Sequence, residues 1–300
     1  MKTHNNVLAF MLITVAIVAT LFFIEDNKLN EEAKVKEENH EQMRLALENT
    51  PVLAKAVSVY NITESRKIYG KNDDMVLPIA SLAKIMTVVE GLRGRDMNEI
   101  VYISPEAVKQ AGDFGIFAYE KWKLGDLAKF TLVVSANDGA FALSEREGDF
   151  LLNINSKVRR LGAANTIFAN PTGLDIYTED KKEIIGAGVF ATAGDVNAMA
   201  MYGLKAYPEI FSSTTLPELN LTSESGFPHN FKNTNILVGK IPNLLFSKTG
   251  FTDTAGGSLA IIFRDKNDHE IAVTVLGSTF AGRFDDMEKI VNVLLYKDVF

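Results

Sequence analysis

Pro78-Ile79-Ala80-Ser81-Leu82-Ala83-Lys84-Ile85-Met86-Thr87 is the stretch on which the reading of this chain turns. Proline is disfavoured inside a helix but fits its first turn, so the stretch predicts a helix from Ser81 to Leu92 with Ser81 near its N-terminus. Free N–H groups and the helix dipole there stabilise negative charge developing on an acyl oxygen. Ile79, Ala80, Leu82, Ala83, Ile85 and Met86 wrap the segment in apolar side chains, which makes this helix central. A polar pair in such a sleeve needs a reason. Ser81 and Lys84 lie three apart and project from one face, so the Lys84 amine reaches the Ser81 hydroxyl as a base beside a nucleophile. A lysine serves as base at neutral pH only when burial or another cation lowers its proton affinity, and Lys248 is the candidate cation. Alone, Ser-x-x-Lys is expected about once by chance in a chain of this length and reads equally as a surface pair.

Outward from this helix the pattern changes type twice. Ala56 to Tyr60 and Ser65 to Tyr69, separated by Asn61-Ile62-Thr63-Glu64, predict a first hairpin. Helices are predicted over Ser81 to Leu92, Asp126 to Val134, Asp138 to Gly148, Phe150 to Leu161 and Ala193 to Leu204. Strands return at Leu244 to Ser247, Gly257 to Phe263 and Ile271 to Gly277, and a helix over Asp285 to Tyr296 follows. Strands at both ends of one domain with helices between them imply an α+β fold with an antiparallel sheet.

Two further short runs complete a set. Ser135-Ala136-Asn137 falls on a connection between two helices, where it also reads as a simple cap. In a serine acyl-transfer site, the Ser135 hydroxyl relays a proton to the leaving amine and the Asn137 amide binds substrate backbone. Lys248-Thr249-Gly250 begins where the Leu244 to Ser247 strand emerges, which is also an ordinary strand-end turn. Functionally, Lys248 supplies charge, Thr249 binds a substrate carboxylate, Gly250 lets substrate lie close, and the Phe251 N–H joins that of Ser81 as an oxyanion hole. The ordered set is specific where each piece is weak.

Composition narrows the alternatives. The 300 residues are 47% hydrophobic with a net charge of -7, and no basic cluster points to nucleic acid. There is no cysteine, and the four histidines show no ligand spacing, so neither a metal nor another cofactor is expected. Val7 to Ile24 is apolar but for Thr14 and Thr20, roughly 27 Å as a helix, which is enough for a bilayer core. Lys2 precedes this run while Glu25 and Asp26 follow it, so residues 1–24 are expected to form an uncleaved membrane anchor with the remainder outside the cytoplasm. Half of Glu25 to Glu48 is charged, so residues 25–50 predict a solvated stalk. Leu29, Val35, Met43, Leu45 and Leu47 give it only a weak apolar stripe. Residues 51–300 are then the catalytic domain.

With these motifs the chain resembles the serine-type D-alanyl-D-alanine carboxypeptidases, the low-molecular-mass penicillin-binding protein family, over about Ala56 to Gly277. Asn170-Pro171-Thr172-Gly173-Leu174-Asp175 and Lys248-Thr249-Gly250-Phe251-Thr252-Asp253-Thr254-Ala255-Gly256 extend the likeness. The resemblance implies a β-lactamase/transpeptidase-like fold. It implies that Ser81 is acylated by the penultimate D-Ala of a peptidoglycan stem peptide, that the terminal D-Ala leaves, and that water releases the acyl-enzyme. β-Lactams then act as covalent inhibitors that imitate the dipeptide. Ala83, Ala136 and Ser247 depart from residues frequent in the family, the last at the strand edge. No basic residue is evident for the substrate carboxylate, with Lys232 and Lys240 as stand-ins.

Three other readings remain. Endopeptidase cleavage of cross-linked wall peptides uses the same acyl donor. A β-lactamase of class A shares the motifs, but Leu216 precedes Pro217-Glu218-Leu219-Asn220 where a deacylating glutamate is needed, and that run reads as a surface connection. An inactive, membrane-tethered wall-binding module keeps the fold without the chemistry.

Overall fold

The computed structural model describes residues 2–296 apart from 113, 146, 147 and 181, with side chains described from Thr20 onward. Five antiparallel strands form the central sheet: β1 (Ala56–Asn61), β2 (Arg66–Lys71), β3 (Leu244–Thr252), β4 (Gly256–Arg264) and β5 (Glu270–Ser278). Their order is β3-β4-β5-β1-β2, so the two ends of the chain meet where β1 pairs with β5, Val57 opposite Val275. This is the α+β architecture expected from strands at both ends.

Successive side chains of a strand point to opposite faces, and both faces here are apolar. Ala260, Ile262, Ala272 and Leu276 turn toward the helices from the middle of the sequence. These are α2 (Lys84–Leu92), α3 (Leu124–Val133), α4 (Asn137–Ser144), α5 (Phe150–Arg160) and α6 (Ala193–Ala206). Leu259, Ile261, Phe263, Val273 and Val275 turn the other way, against the final helix α7 (Gly282–Tyr296). The sheet is thus buried between two helical layers. Asn197 of α6 fixes that helix to the sheet, donating to the Ser58 carbonyl at 3.2 Å and accepting from Thr274 Oγ1 at 2.7 Å. Asp286 of α7 accepts from the Leu53 and Ala54 amides at 2.8 Å each and from Ser278 Oγ at 2.7 Å.

Residues 25–38 are exposed, as a solvated stalk would be, but residues 40–48 depart from that expectation. A single helix, α1 (Lys2–Glu48), runs through them. Leu29, Val35 and Leu45 are exposed, but Met43 and Leu47 are fully buried beside α7 and the sheet. His40, Met43 and Leu47 recur on one helical face, and burying the two apolar side chains contributes about 4 kcal/mol. Lys36 and His40 also contact Glu64 in the first hairpin, and Arg66 holds Glu37 through two bonds of 2.7 Å. The last turns of α1 therefore belong to the folded body. The expected span Val7 to Ile24 falls mostly outside the residues whose side chains are described, and no helix among the described residues is long and apolar enough to cross a membrane.

Three local outcomes bear on the site. Ser81 lies in a 3-10 turn, Ala80–Ala83, and α2 begins only at Lys84. Lys248-Thr249-Gly250 lies inside β3 rather than at its exit, because the strand continues to Thr252. Glu218–Thr222 pairs with Pro228–Lys232 as a hairpin where a plain surface connection was expected.

Candidate active site

The site forms where the Ala80–Ala83 turn, the α3–α4 connection and β3 converge. Ala80 has a φ of +47°, in the left-handed region that a non-glycine residue adopts at a cost, and this turns the chain sharply just before Ser81. Gly173 lies against the same turn: at its φ of +78° an added Cβ would overlap the Ala80 carbonyl. From the other side, a Cβ on Gly250 would come 2.9 Å from the Ile79 carbonyl oxygen and 3.3 Å from the Ser81 nitrogen. Glycine is therefore what brings β3 against the nucleophile.

Lys84 is completely buried, and its Nζ stands 2.9 Å from Ser81 Oγ. It also donates to Asn137 Oδ1 and to the Thr172 carbonyl, both at 2.7 Å. The orientation of Asn137 is fixed because its Nδ2 donates to the Ala111 carbonyl at 2.6 Å. Both partners offer only lone pairs to Lys84. A neutral amine has two N–H bonds and one lone pair, so these two acceptors use its hydrogens and leave the lone pair for the Ser81 hydroxyl. Burial lowers the Lys84 amine from 10.5 to about 7, although nearby Asp138 opposes the shift. Burial, and not the cation anticipated from sequence, is the main cause.

Lys248 lies across the crevice, also fully buried. Its Nζ donates to Ser135 Oγ at 2.7 Å and to the Thr249 carbonyl at 2.9 Å. Burial first, then the charges of Lys84 and Arg283, hold its amine well below the usual lysine value. Two buried amines this close compete for protons, so the pair holds its second proton weakly. Ser135 has a φ of +65°, so the α3–α4 connection holds its hydroxyl in place against backbone preference.

The sequence-predicted residues Ser81, Lys84, Ser135, Asn137, Lys248, Thr249 and Gly250 thus come together. Phe251 follows on the same strand with its ring 42% exposed at the mouth. Thr249 Oγ1 is 2.7 Å from Thr234 Oγ1, a partner that sequence reading missed. Ser247, at the departure from the family pattern, is buried and tied to Thr214 through its amide at 2.9 Å and its hydroxyl at 3.1 Å, so it anchors the strand.

Lys232 and Lys240, the stand-ins for a basic group, are exposed. Arg283, in the first turn of α7, is a cation held against β3: it is 5% exposed and donates to the Gly250 carbonyl at 3.2 Å. Its guanidinium is packed by Phe280 at 4.4 Å and Phe284 at 4.7 Å from the ring centres, and burial lowers its value to about 10. The flanking aromatics were the available sequence signal.

A hydroxyl beside a buried amine, faced by a second amine and hydroxyl under a strand edge, is the arrangement that serine acyl transfer requires. The chain belongs to the D-alanyl-D-alanine carboxypeptidase family, whose profile matches residues 39–279. D-alanyl-D-alanine carboxypeptidase DacF of Bacillus subtilis is 30% identical over 250 residues, covering 80% of this chain and 61% of the relative. D-alanyl-D-alanine endopeptidase of Pseudomonas aeruginosa is 28% identical over 208 residues, covering 65% and 62%. The chain spans about three fifths of the length of these curated relatives. Among solved structures, penicillin-binding protein D2 of Listeria monocytogenes in its ampicillin-bound form is 29% identical, with a TM-score of 0.67 over 82% of this chain and 99% of that one.

Proposed function

We propose that the protein is a serine D-alanyl-D-alanine carboxypeptidase acting on peptidoglycan stem peptides, and the Ser81–Lys84–Asn137 hydrogen-bond chain carries this reading. Lys84 takes the Ser81 proton as Oγ attacks the carbonyl of the penultimate D-Ala. The oxyanion that forms is held by the Ser81 and Phe251 amides. The proton taken up by Lys84 then replaces the one that Ser135, held by Lys248, passes to the departing amine, so terminal D-Ala leaves neutral at nitrogen and both Lys84 and Ser135 are restored. Water then attacks the ester, and Ser81 regains its proton. Asn137 orients the donor amide, while Thr249 and Arg283 face its terminal carboxylate. β-Lactams present a similar acyl group and acylate Ser81.

The test has two readouts. A fluorescent penicillin should label the protein covalently and fail to label Ser81→Ala. A pentapeptide ending in D-Ala-D-Ala should lose one alanine by mass. No labelling of the parent protein removes the enzymatic reading in favour of an inactive wall-binding module. The endopeptidase name of the Pseudomonas relative supports a second reading, and cleavage confined to cross-linked dimers would select it. Tethering through Val7 to Ile24 is part of the proposal, and recovery of the full chain with membranes after a high-salt wash tests it.

A further inference from the structure

Asn170-Pro171-Thr172-Gly173-Leu174 takes part in the chemistry above through one atom, the Thr172 carbonyl oxygen that accepts from Lys84 Nζ at 2.7 Å. Carbonyls of connecting segments ordinarily turn to water, yet Thr172 is 2% exposed and this oxygen faces a buried amine. A peptide unit is planar, and its N–H and C=O point in opposite directions. The Thr172 carbonyl and the Gly173 amide belong to one such unit. That amide donates to Asn170 Oδ1 at 2.8 Å, so the side chain that holds the N–H on one side directs the oxygen to Lys84 on the other.

The unit before it is gripped in the same way. The Thr172 amide donates to Asn170 Oδ1 at 3.2 Å, while the Pro171 carbonyl accepts from Thr87 Oγ1 of α2 at 2.6 Å. Thr172 Oγ1 donates to the same Asn170 oxygen at 3.2 Å, and Asn170 Nδ2 donates to the Leu174 carbonyl at 2.9 Å, so the amide group cannot turn over without losing all four bonds. Gly188 makes the room for it, since an added Cβ there would overlap the Asn170 amide. Hydrogen bonds in series also polarise one another, so the hold on the Gly173 N–H makes the Thr172 oxygen a better acceptor.

We infer that Asn170 is a positioning residue for the base: through the Thr172–Gly173 peptide it aims the carbonyl that takes one hydrogen of Lys84, and so turns the lone pair of the amine toward Ser81. This rests on the acyl-transfer reading above and adds to it a side chain that touches neither substrate nor reacting atoms. Two effects follow, and they separate in a pH profile. A misdirected lone pair slows attack at every pH. Loss of a carbonyl acceptor, which favours the ammonium over the amine, moves the titration of Lys84 downward.

The test follows acylation of the full chain by a fluorescent penicillin from pH 5 to 9. In Asn170→Ala the high-pH plateau should fall about thirtyfold, part of what a general base supplies, with the loss in the limiting rate and not in the half-saturating concentration. Its acid limb should lie lower by about half a pH unit. Asn170→Ser, whose hydroxyl accepts from amides two and three residues on, should recover most of the plateau and return the limb to the parent position. Thr87→Val is the control: it frees the same turn from α2 and should lower Tm without moving the limb. Where Asn170→Ala is too unstable to assay, Gly188→Ala should show the same paired changes, because its methyl displaces the same amide. A parent-like profile in these variants overturns the role of Asn170 alone, as does a lowered plateau with an unmoved limb that Thr87→Val reproduces. A parent protein that penicillin does not label overturns the acyl-transfer reading and this inference with it.

Discussion

Acidifying the protein through neutral pH should switch Ser81 off, and the extent follows from Lys84. Moving its amine from 10.5 to about 7 disfavours the charged form by about 5 kcal/mol, and the fully buried setting leaves little solvent to screen that cost. If one titration at about 7 governs attack, about a tenth of the amine is unprotonated at pH 6 and about a hundredth at pH 5. The second-order rate of Ser81 acylation by a fluorescent penicillin, followed by stopped flow from pH 5 to 9, should therefore climb about tenfold per pH unit at the acid end and level off above 8. Asp138 supplies a control because its charge raises the Lys84 value. Asp138→Asn should carry the rising limb to lower pH. A flat profile, or a limb that begins only near 9, would refute the assignment of Lys84 as the base.

The same shift has a consequence for stability, with its sign set by proton binding. Between about 7 and 10.5 the unfolded chain holds a proton on Lys84 that the folded chain lacks, so stability rises with pH across that window and is insensitive to this group below it. Denaturant titrations of Lys84→Met should lose that part of the rise. An unchanged pH slope would mean that the buried amine keeps its proton.

Gly250→Ala should slow acylation about a hundredfold with little loss of Tm, because the new Cβ meets the Ile79 carbonyl and the Ser81 amide where the strand edge must approach; penicillin labelling kinetics check it. Ser135→Ala keeps the same strained φ but removes the hydroxyl held by Lys248, so kcat/KM for D-Ala release should fall about a hundredfold while Tm moves by less than about 3 °C. Asp286→Ala leaves two amides and a hydroxyl without their acceptor and should cost about 3 kcal/mol in urea unfolding, with the mechanism of the surviving folded fraction unaltered. A chain starting at residue 51 lacks Met43 and Leu47 and should be about 4 kcal/mol less stable than one starting at 36, a difference that equilibrium unfolding reads directly.

Motifs carried by side chains at short spacing were legible, because a helix turn or a strand register converts spacing into position without reference to the rest of the molecule. Ser81 with Lys84, and Ser135 with Asn137, are of this kind. What the sequence could not display is the acceptor that tunes the base. The Thr172 carbonyl takes a hydrogen from Lys84 across 88 positions, and a backbone carbonyl carries no residue signature. Nor did composition reveal that burial is the leading cause of the low Lys84 value, since burial depends on α4 and the Thr172 loop closing over the amine.

Arg283 and the end of α1 failed to stand out for a shared physical reason. Each sits in a run whose local pattern is that of a solvated helix, and each is made internal by a partner distant in sequence. Arg283 is enclosed by Phe280, Phe284 and the Gly250 carbonyl because α7 folds back across the sheet to the strand that carries the site. Met43 and Leu47 are enclosed because the same α7 and the sheet offer them a face. The charges on residues 25–48 describe the solvent side of α1 correctly, but a helix needs only one residue per turn to bury a stripe, and His40, Met43 and Leu47 supply it. The placement of α7 therefore links the two: it fixes the basic group beside β3 and seats the helix that leads toward the N-terminus, so loosening α7 should disturb substrate binding and α1 docking together.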